Sequence, residues 1–188
     1  MTLSPGHGQA PLDGDELDAL RPAVRQAIGP EISKAEVYDL KQAFQAGVGA
    51  ELLINVLEGE IELAVPLTDH FARDVHRWLY AEIWRCGGLL RRQELNIGVS
   101  PDRIAVELRT SLDTLNFRWQ ETDDFTARQL GIAVHAETVR IHPFADGNGR
   151  ATRLLADLVF AAAQGSSGPD LYDWALDTRR YIDLAARV

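Results

Sequence analysis

Apolar residues recur at steps of three and four along most of this chain, and that period admits one broad class of fold. Val37, Leu40, Phe44 and Val48 share one side of a helix. Leu53, Leu57, Ile61 and Ala64 repeat the spacing, with Gly47 and Gly49 predicting a break between two helices and Pro66 ending the second. Thr68 or Asp69 then caps a stripe of Phe71, Val75, Trp78, Leu79 and Ile83. Ile104, Leu108, Leu112 and Leu115 form the next helix, and Leu130, Val134 and Ile141 another, opened near Asp123 or Asp124. Leu154, Leu155, Leu158, Val159 and Ala162 carry a helix stopped by Gly165 to Pro169, and Leu171, Trp174, Ala175, Ile182 and Ala185 predict a last one. Only CGGLLRRQELNIGVS, residues 86–100, drops the period, which predicts a loop or small hairpin closed by Pro101. The expectation is an all-α fold of about seven or eight helices with a small β-hairpin. Residues 1–30 read as a Gly- and Pro-rich arm with a short helix capped by Asp13 or Asp15, and residues 31–188 as a single compact domain.

Charge and cysteine content narrow the functions such a bundle can serve. Nineteen Lys and Arg against 28 Asp and Glu give a net charge of −9, so a uniform field that condenses on nucleic acid or anionic lipid is not expected. Phosphate binding would have to come from a local site. The lone Cys86 excludes an intramolecular disulfide and a cysteine-pair zinc knuckle. The opening MTLSPGHGQAPLDG lacks the basic flank and apolar run of a signal peptide. LLADLVFAAA, residues 154–163, is interrupted by Asp157 and falls well short of the roughly 20 residues a membrane span needs. A cytoplasmic location is expected.

Chemistry concentrates in IHPFADGNGRATR, residues 141–153. Gly147 and Gly149 lack Cβ, so the chain can bend and bring its N–H groups close to a ligand just where the next helix leaves its first amides unpaired. Those amides and the positive end of the helix dipole make an anion site. Arg150 and Arg153 share an edge of that helix and can both reach one polyphosphate. Asp146 would repel phosphate directly but can hold a Mg²⁺ that bridges phosphate oxygens. His142, with an ordinary pKa of about 6.5, can take a proton from an attacking hydroxyl. Each element alone has a plainer reading: a structural His, a common Asp-Gly turn, a solvated pair of arginines. An EF-hand starting at Asp146 would need Gly at Ala151 and Glu at Asp157, and no GxxxxGK[ST] loop occurs anywhere in the chain.

Taken contiguously, HPFADGNGRATR resembles the signature of the Fic (filamentation induced by cAMP) family, HxFx[D/E]GNGRxxR, at every defined position. The resemblance implies a helical Fic fold and a protein adenylyltransferase that moves AMP from ATP onto a Ser, Thr or Tyr hydroxyl of a target protein. It implies that His142 is the catalytic base, that Asp146 binds Mg²⁺ and that Phe144 anchors the loop. Gly147, Asn148, Gly149 and Arg150 would cradle the α- and β-phosphates, and Arg153 would hold the γ-phosphate or orient the triphosphate. Residues around Arg92 to Pro101 are similar in position to a flap that docks the target by strand addition, with Leu95, Asn96 and Ile97 at its tip. RRYIDLAARV is similar to the family's closing helix, with Tyr181 and Ile182 in the core. Many members are held inactive by a helix with [S/T]xxxE[G/N]; INVLEG, residues 54–59, has Glu58 and Gly59 in place but Ile54 where Ser or Thr is expected, so Glu58 is either inhibitory or a surface residue. The stretch GQAPLDGDELDALRP resembles a bacterial subgroup labelled mobile mystery protein B, which implies a toxin-type protein beside a small antitoxin or inhibitor partner. Within the same fold the alternatives are transfer of a phosphoryl or phosphocholine moiety, or a permanently inhibited module that binds nucleotide or a partner.

Overall fold

The three-and-four period becomes six helices in the computed structural model, which describes residues 19–28, 34–165 and 170–174. They are α1 (Pro22–Ile28), α2 (Lys34–Leu57), α3 (Asp69–Tyr80), α4 (Ile104–Glu121), α5 (Ala127–Ile141) and α6 (Asn148–Gln164). Among the described residues there is no strand, only a single antiparallel bridge between Leu20 and Trp84. None of the described helices is long and apolar enough to cross a membrane.

The centre of the architecture is α6, which packs against α2, α3 and α5. Its buried residues, from Asn148 and Ala151 through Leu155, Leu158 and Val159 to Phe160 and Ala161, go round most of its circumference, as expected of a helix walled in by others. Alanines at several of these positions allow close approach. On α5, a Cβ at Gly131 would lie 2.8 Å from the Ala156 carbonyl and 2.5 Å from the Tyr172 hydroxyl, so only glycine fits between the two elements.

Local signals set the helix ends. The Thr68 side chain accepts the Phe71 amide at 3.2 Å and starts α3. Thr126 and Gln129 form a capping box that starts α5 slightly later than Asp123 or Asp124 would have, because Asp124 instead meets Arg118 at 3.0 Å. The two helices expected on either side of Gly47 and Gly49 are one continuous α2. A helical glycine costs about 1 kcal/mol against alanine, which packing against α3 and α6 offsets; the position of a Cβ at Gly49 is 3.7 Å from Leu154 Cδ1. The true end is Leu57, followed by Gly59 at φ 78°, so Ile61 and Ala64 lie beyond it.

Leu171 to Trp174 are not helical either. Tyr172 and Trp174, two residues apart, pack against each other at 5.0 Å, with Tyr172 also on Phe160 and Trp174 on His135. That is an extended period, and it is fixed by Asp157, which accepts the Tyr172 amide and the Trp174 indole N–H at 3.3 and 2.9 Å. The hairpin expected near Arg92 to Pro101 is an irregular segment lying against the α5–α6 connection. The arm, the helix capped by Asp13 or Asp15, and the stretch from Ala175 with Tyr181 and Ile182 lie outside the described residues.

Candidate active site

Six residues, His142 to Gly147, connect the end of α5 to the start of α6. Pro143 cannot continue α5, and His142 closes it in the left-handed conformation at φ 52° and ψ 63°, the one non-glycine among the described residues with positive φ. Anchoring two residues later maintains that conformation. Phe144 is buried in the core, and Asn148 clamps its backbone from both sides: Oδ1 accepts the Phe144 amide at 2.9 Å and Nδ2 donates to the Phe144 carbonyl at 2.7 Å. Losing such a partner leaves buried backbone groups unsatisfied at about 1–3 kcal/mol each. The Asn148 side chain therefore shapes the loop, and what it offers a ligand is its backbone N–H.

A second clamp comes from α3. His76, 2% exposed, stacks on the Phe144 ring at a centroid distance of 3.8 Å and a plane angle of 14°. Its Nδ1 accepts the Gly88 amide at 2.9 Å, and Nε2 donates to the Asp146 carbonyl at 2.9 Å. Those partners require the neutral ring protonated at Nε2. Burial accordingly pushes its pKa down to about 4. The unfolded chain takes up this proton at about 6.5, so the associated stability is complete above that pH and lost progressively as pH falls toward 4. A depression of that size corresponds to about 3 kcal/mol. Urea titrations from pH 7 to pH 4.5 are expected to show wild type losing more stability than His76→Gln; equal losses would remove His76 as the cause.

The two glycines of the turn serve different ends. Gly147 sits at φ 77°, and a Cβ there would lie 2.4–2.7 Å from Tyr80 ring and hydroxyl atoms. The Tyr80 hydroxyl donates to the Gly147 carbonyl at 3.3 Å, and burial raises the phenol to about 12, so it stays neutral. Gly149, inside the first turn of α6, has nothing within 4 Å of its Cβ position. Gly147, the N-cap of α6, has no side chain with which to cap it. The first amides of α6 and its positive end therefore lie beside an open position at Gly149, a geometry an anion can use. Arg150 borders this space, with Nη1 donating to Gln45 Oε1 of α2 at 2.6 Å and a further hydrogen bond to Tyr80. Arg153, half-buried, lies within electrostatic reach of Tyr80, His135 and Asp157 and forms no ion pair among the described residues.

At the other end of the turn, burial lowers the His142 pKa first and the neighbouring Arg91 charge second, while the Val139 carbonyl works in the opposite direction. Nδ1 is buried, without a hydrogen bond of good geometry, so Nε2 is the nitrogen on the accessible side of the ring. A neutral imidazole in that pose is equipped to accept a proton from outside. Over it lies the segment 91–99. Leu95, Asn96 and Ile97 are exposed there, while Arg91 is tied to the turn and Val99 to the last residue of α5.

Glu58 is not brought to the site. Gln45 is level with Arg150 and Gly49 with Leu154, so α2 runs alongside α6 in the same direction. Glu58 thus sits about 15 Å further along the axis than Arg153. It is exposed, makes no ion pair among the described residues, and its N–H closes the last turn on Ile54 at 2.8 Å. Sequence reasoning missed His76, Tyr80, Arg91, Gly98 and Gln45. His76 and Tyr80 lie beside the predicted α3 stripe and Gly98 breaks the segment above His142, whereas nothing in the pattern singles out Gln45 or separates Arg91 from Arg92.

Residues 66–160 match the model of the Fic/DOC family. The chain is 36% identical over 76 residues to protein adenylyltransferase fic-1 of Caenorhabditis elegans, an alignment that takes in 38% of this chain and only 15% of that protein. The N-terminal Fic domain of a cell filamentation protein from Bartonella quintana, a VirB-translocated Bep effector, superposes with a TM-score of 0.61 at 15% identity, covering 84% of this chain and 76% of that one. BepC of Bartonella tribocorum, solved with AMPPNP bound, gives a TM-score of 0.55 at 14% identity over 69% of each chain. At these identities the structural likeness speaks for the fold.

Proposed function

This chain belongs to the Fic/DOC family, and from that premise we propose that it is a protein adenylyltransferase that moves AMP from ATP onto a protein hydroxyl. The observation that carries this reading is the pairing, at the two ends of one clamped turn, of a neutral half-buried imidazole and a helix N-terminus with open space at Gly149 in its first turn. One end suits a base and the other a polyphosphate. Its similarity to a named adenylyltransferase points the same way.

In this mechanism the amides at the start of α6, with Arg150 and Arg153, hold the triphosphate. A target segment lies along residues 92–98 and presents its hydroxyl to His142 Nε2. As that proton passes to His142, the hydroxyl oxygen bonds to the α-phosphorus, the bond to the bridging oxygen of the β-phosphate breaks, and pyrophosphate leaves. Asp146 fits Mg²⁺. Its side chain is a hard oxygen donor on an exposed residue whose backbone is fixed by His76, and it would hold the ion as a single protein ligand, the described residues containing no three-ligand cluster. When bound, the ion neutralises charge developing on the phosphates. We read the protein as cytoplasmic, acting on another protein and answering to a small inhibitory partner.

The test is the fate of label from ATP. With α-labelled ATP, Mg²⁺ and cell lysate, label should become covalently attached to protein, and mass spectrometry should find an added AMP. Attachment of γ label alone would mean phosphoryl transfer, and nucleotide binding with no covalent product would mean a binding module.

A further inference from the structure

The last carbonyls of a helix have no partners within it. At the end of α5 they are met by a segment more than forty residues earlier in the chain. The Val99 amide donates to the Ile141 carbonyl at 3.3 Å, Arg91 Nε to the His142 carbonyl at 2.7 Å, and the Arg91 amide to the Pro143 carbonyl at 2.9 Å. Two further Arg91 nitrogens hold the flap itself, Nη1 donating to the Gln93 carbonyl at 2.9 Å and Nη2 to the Val99 carbonyl. The residue is 4% exposed and pairs with no carboxylate among the described residues.

A buried cation satisfied only by carbonyl oxygens is an expensive way to fill space; an apolar side chain would fill it at less cost. What the guanidinium supplies is a rigid fork whose donors point in fixed directions, set at the negative end of a helix dipole. Here the fork ties both ends of the flap to the residue whose backbone is in the left-handed conformation. Gly98 completes the join: at φ 94°, a Cβ would lie 2.6 Å from His142 Cβ and 2.7 Å from the Arg91 guanidinium.

From these contacts we infer that Arg91 is a positioning residue that locks the target-docking flap and His142 into one rigid unit, fixing where a docked hydroxyl stands relative to the base. The inference rests on the adenylyltransferase reading. Its consequence is selective. The phosphate end of the turn is held by Asn148, His76 and Tyr80, none of which hydrogen-bonds to Arg91 among the described residues, so loosening Arg91 should spare nucleotide binding and damage transfer.

The experiment uses full-length Arg91→Met, Arg91→Lys and Gly98→Ala, with AMPPNP affinity, transfer from α-labelled ATP, and amide exchange as readouts. Arg91→Met is expected to bind AMPPNP within about twofold of wild type while transfer falls about 100-fold, the scale of a reacting group displaced by an ångström. Arg91→Lys, which keeps the charge but lacks the planar fork whose separate nitrogens reach three carbonyls, should recover part of the rate. Amide protection at Val99 should fall while that of α6 is unchanged. If Arg91→Met does not fold, Gly98→Ala, which pushes the same two parts apart, should give the same pattern. Transfer near the wild-type rate in Arg91→Met, parallel loss of nucleotide affinity and transfer, or Val99 protection as in wild type would each overturn the inference. Attachment of γ label alone, or of no label, by wild type sinks the adenylyltransferase reading instead, and exchange at Val99 then still decides whether Arg91 holds the flap.

Discussion

Replacing His142 with alanine is expected to lower transfer of α label from ATP to protein by about 10²- to 10⁴-fold, the contribution general-base catalysis ordinarily makes. Alanine at φ 52° also carries backbone strain that histidine and asparagine bear better. His142→Asn is therefore the cleaner partner variant. It should unfold at close to the wild-type temperature, bind AMPPNP as wild type does, and be as inactive as the alanine protein. Burial and the Arg91 charge both lower the His142 pKa from 6.5, so the base is still neutral at pH values where a free imidazole would be protonated. In kcat/KM measured against pH, which reports the free enzyme, the wild-type rate should hold to below pH 6.5 and fall only as pH drops through the lowered pKa. A variant that keeps more than about a tenth of the rate would remove His142 from the base role.

The second large effect separates the two glycines. Gly147→Ala must put a methyl group into Tyr80 at 2.4–2.7 Å while holding φ 77°, so both overpacking and backbone strain oppose it. Each ordinarily costs about 1–3 kcal/mol, and a total near 4 kcal/mol would consume much of a small domain's stability. Gly149→Ala meets no atom within 4 Å and adds a better helix former to α6. Its unfolding temperature should equal or exceed that of wild type. Yet the added methyl group occupies the open side of the anion site, so AMPPNP affinity is expected to drop by about tenfold or more, near 1.4 kcal/mol. Thermal unfolding with and without AMPPNP distinguishes these outcomes in one assay. A stable Gly149→Ala protein that binds AMPPNP normally would mean that the phosphates do not approach that face.

Helix periods made the all-α class legible, and the candidate site was legible as one motif. The motif from His142 to Arg153 is contiguous, and a contiguous stretch keeps its members together whatever the rest of the chain does. Helix periods located the segments, including α6 with its end at Gly165. They failed where tertiary contacts override local preference. Gly47 and Gly49 stay helical because α2 is held against its neighbours, and Leu171 to Trp174 stay extended because Asp157 captures a backbone amide and an indole. The clamps on the turn were harder still to foresee. His76, Tyr80 and Arg91 act through backbone carbonyls, acceptors that every residue carries. Gly59 illustrates the converse: its place after Glu58 matches an inhibitory motif, but at φ 78° it ends α2.

The flap has a further consequence for how such a protein changes over time. Its ends, Arg91 and Val99, are fixed by main-chain carbonyls of the turn and of the last residue of α5, whose chemistry does not depend on the side chains there. Between them, residues 92–98 are exposed and contribute little to the core. Substitutions at Gln93 to Ile97 should thus be nearly free for stability, within about 0.5 kcal/mol each. Under the proposed function, selection could accordingly rewrite the surface offered to a partner while leaving His142 and the turn where they are, and the same short stretch would be the natural place to redirect the protein by design.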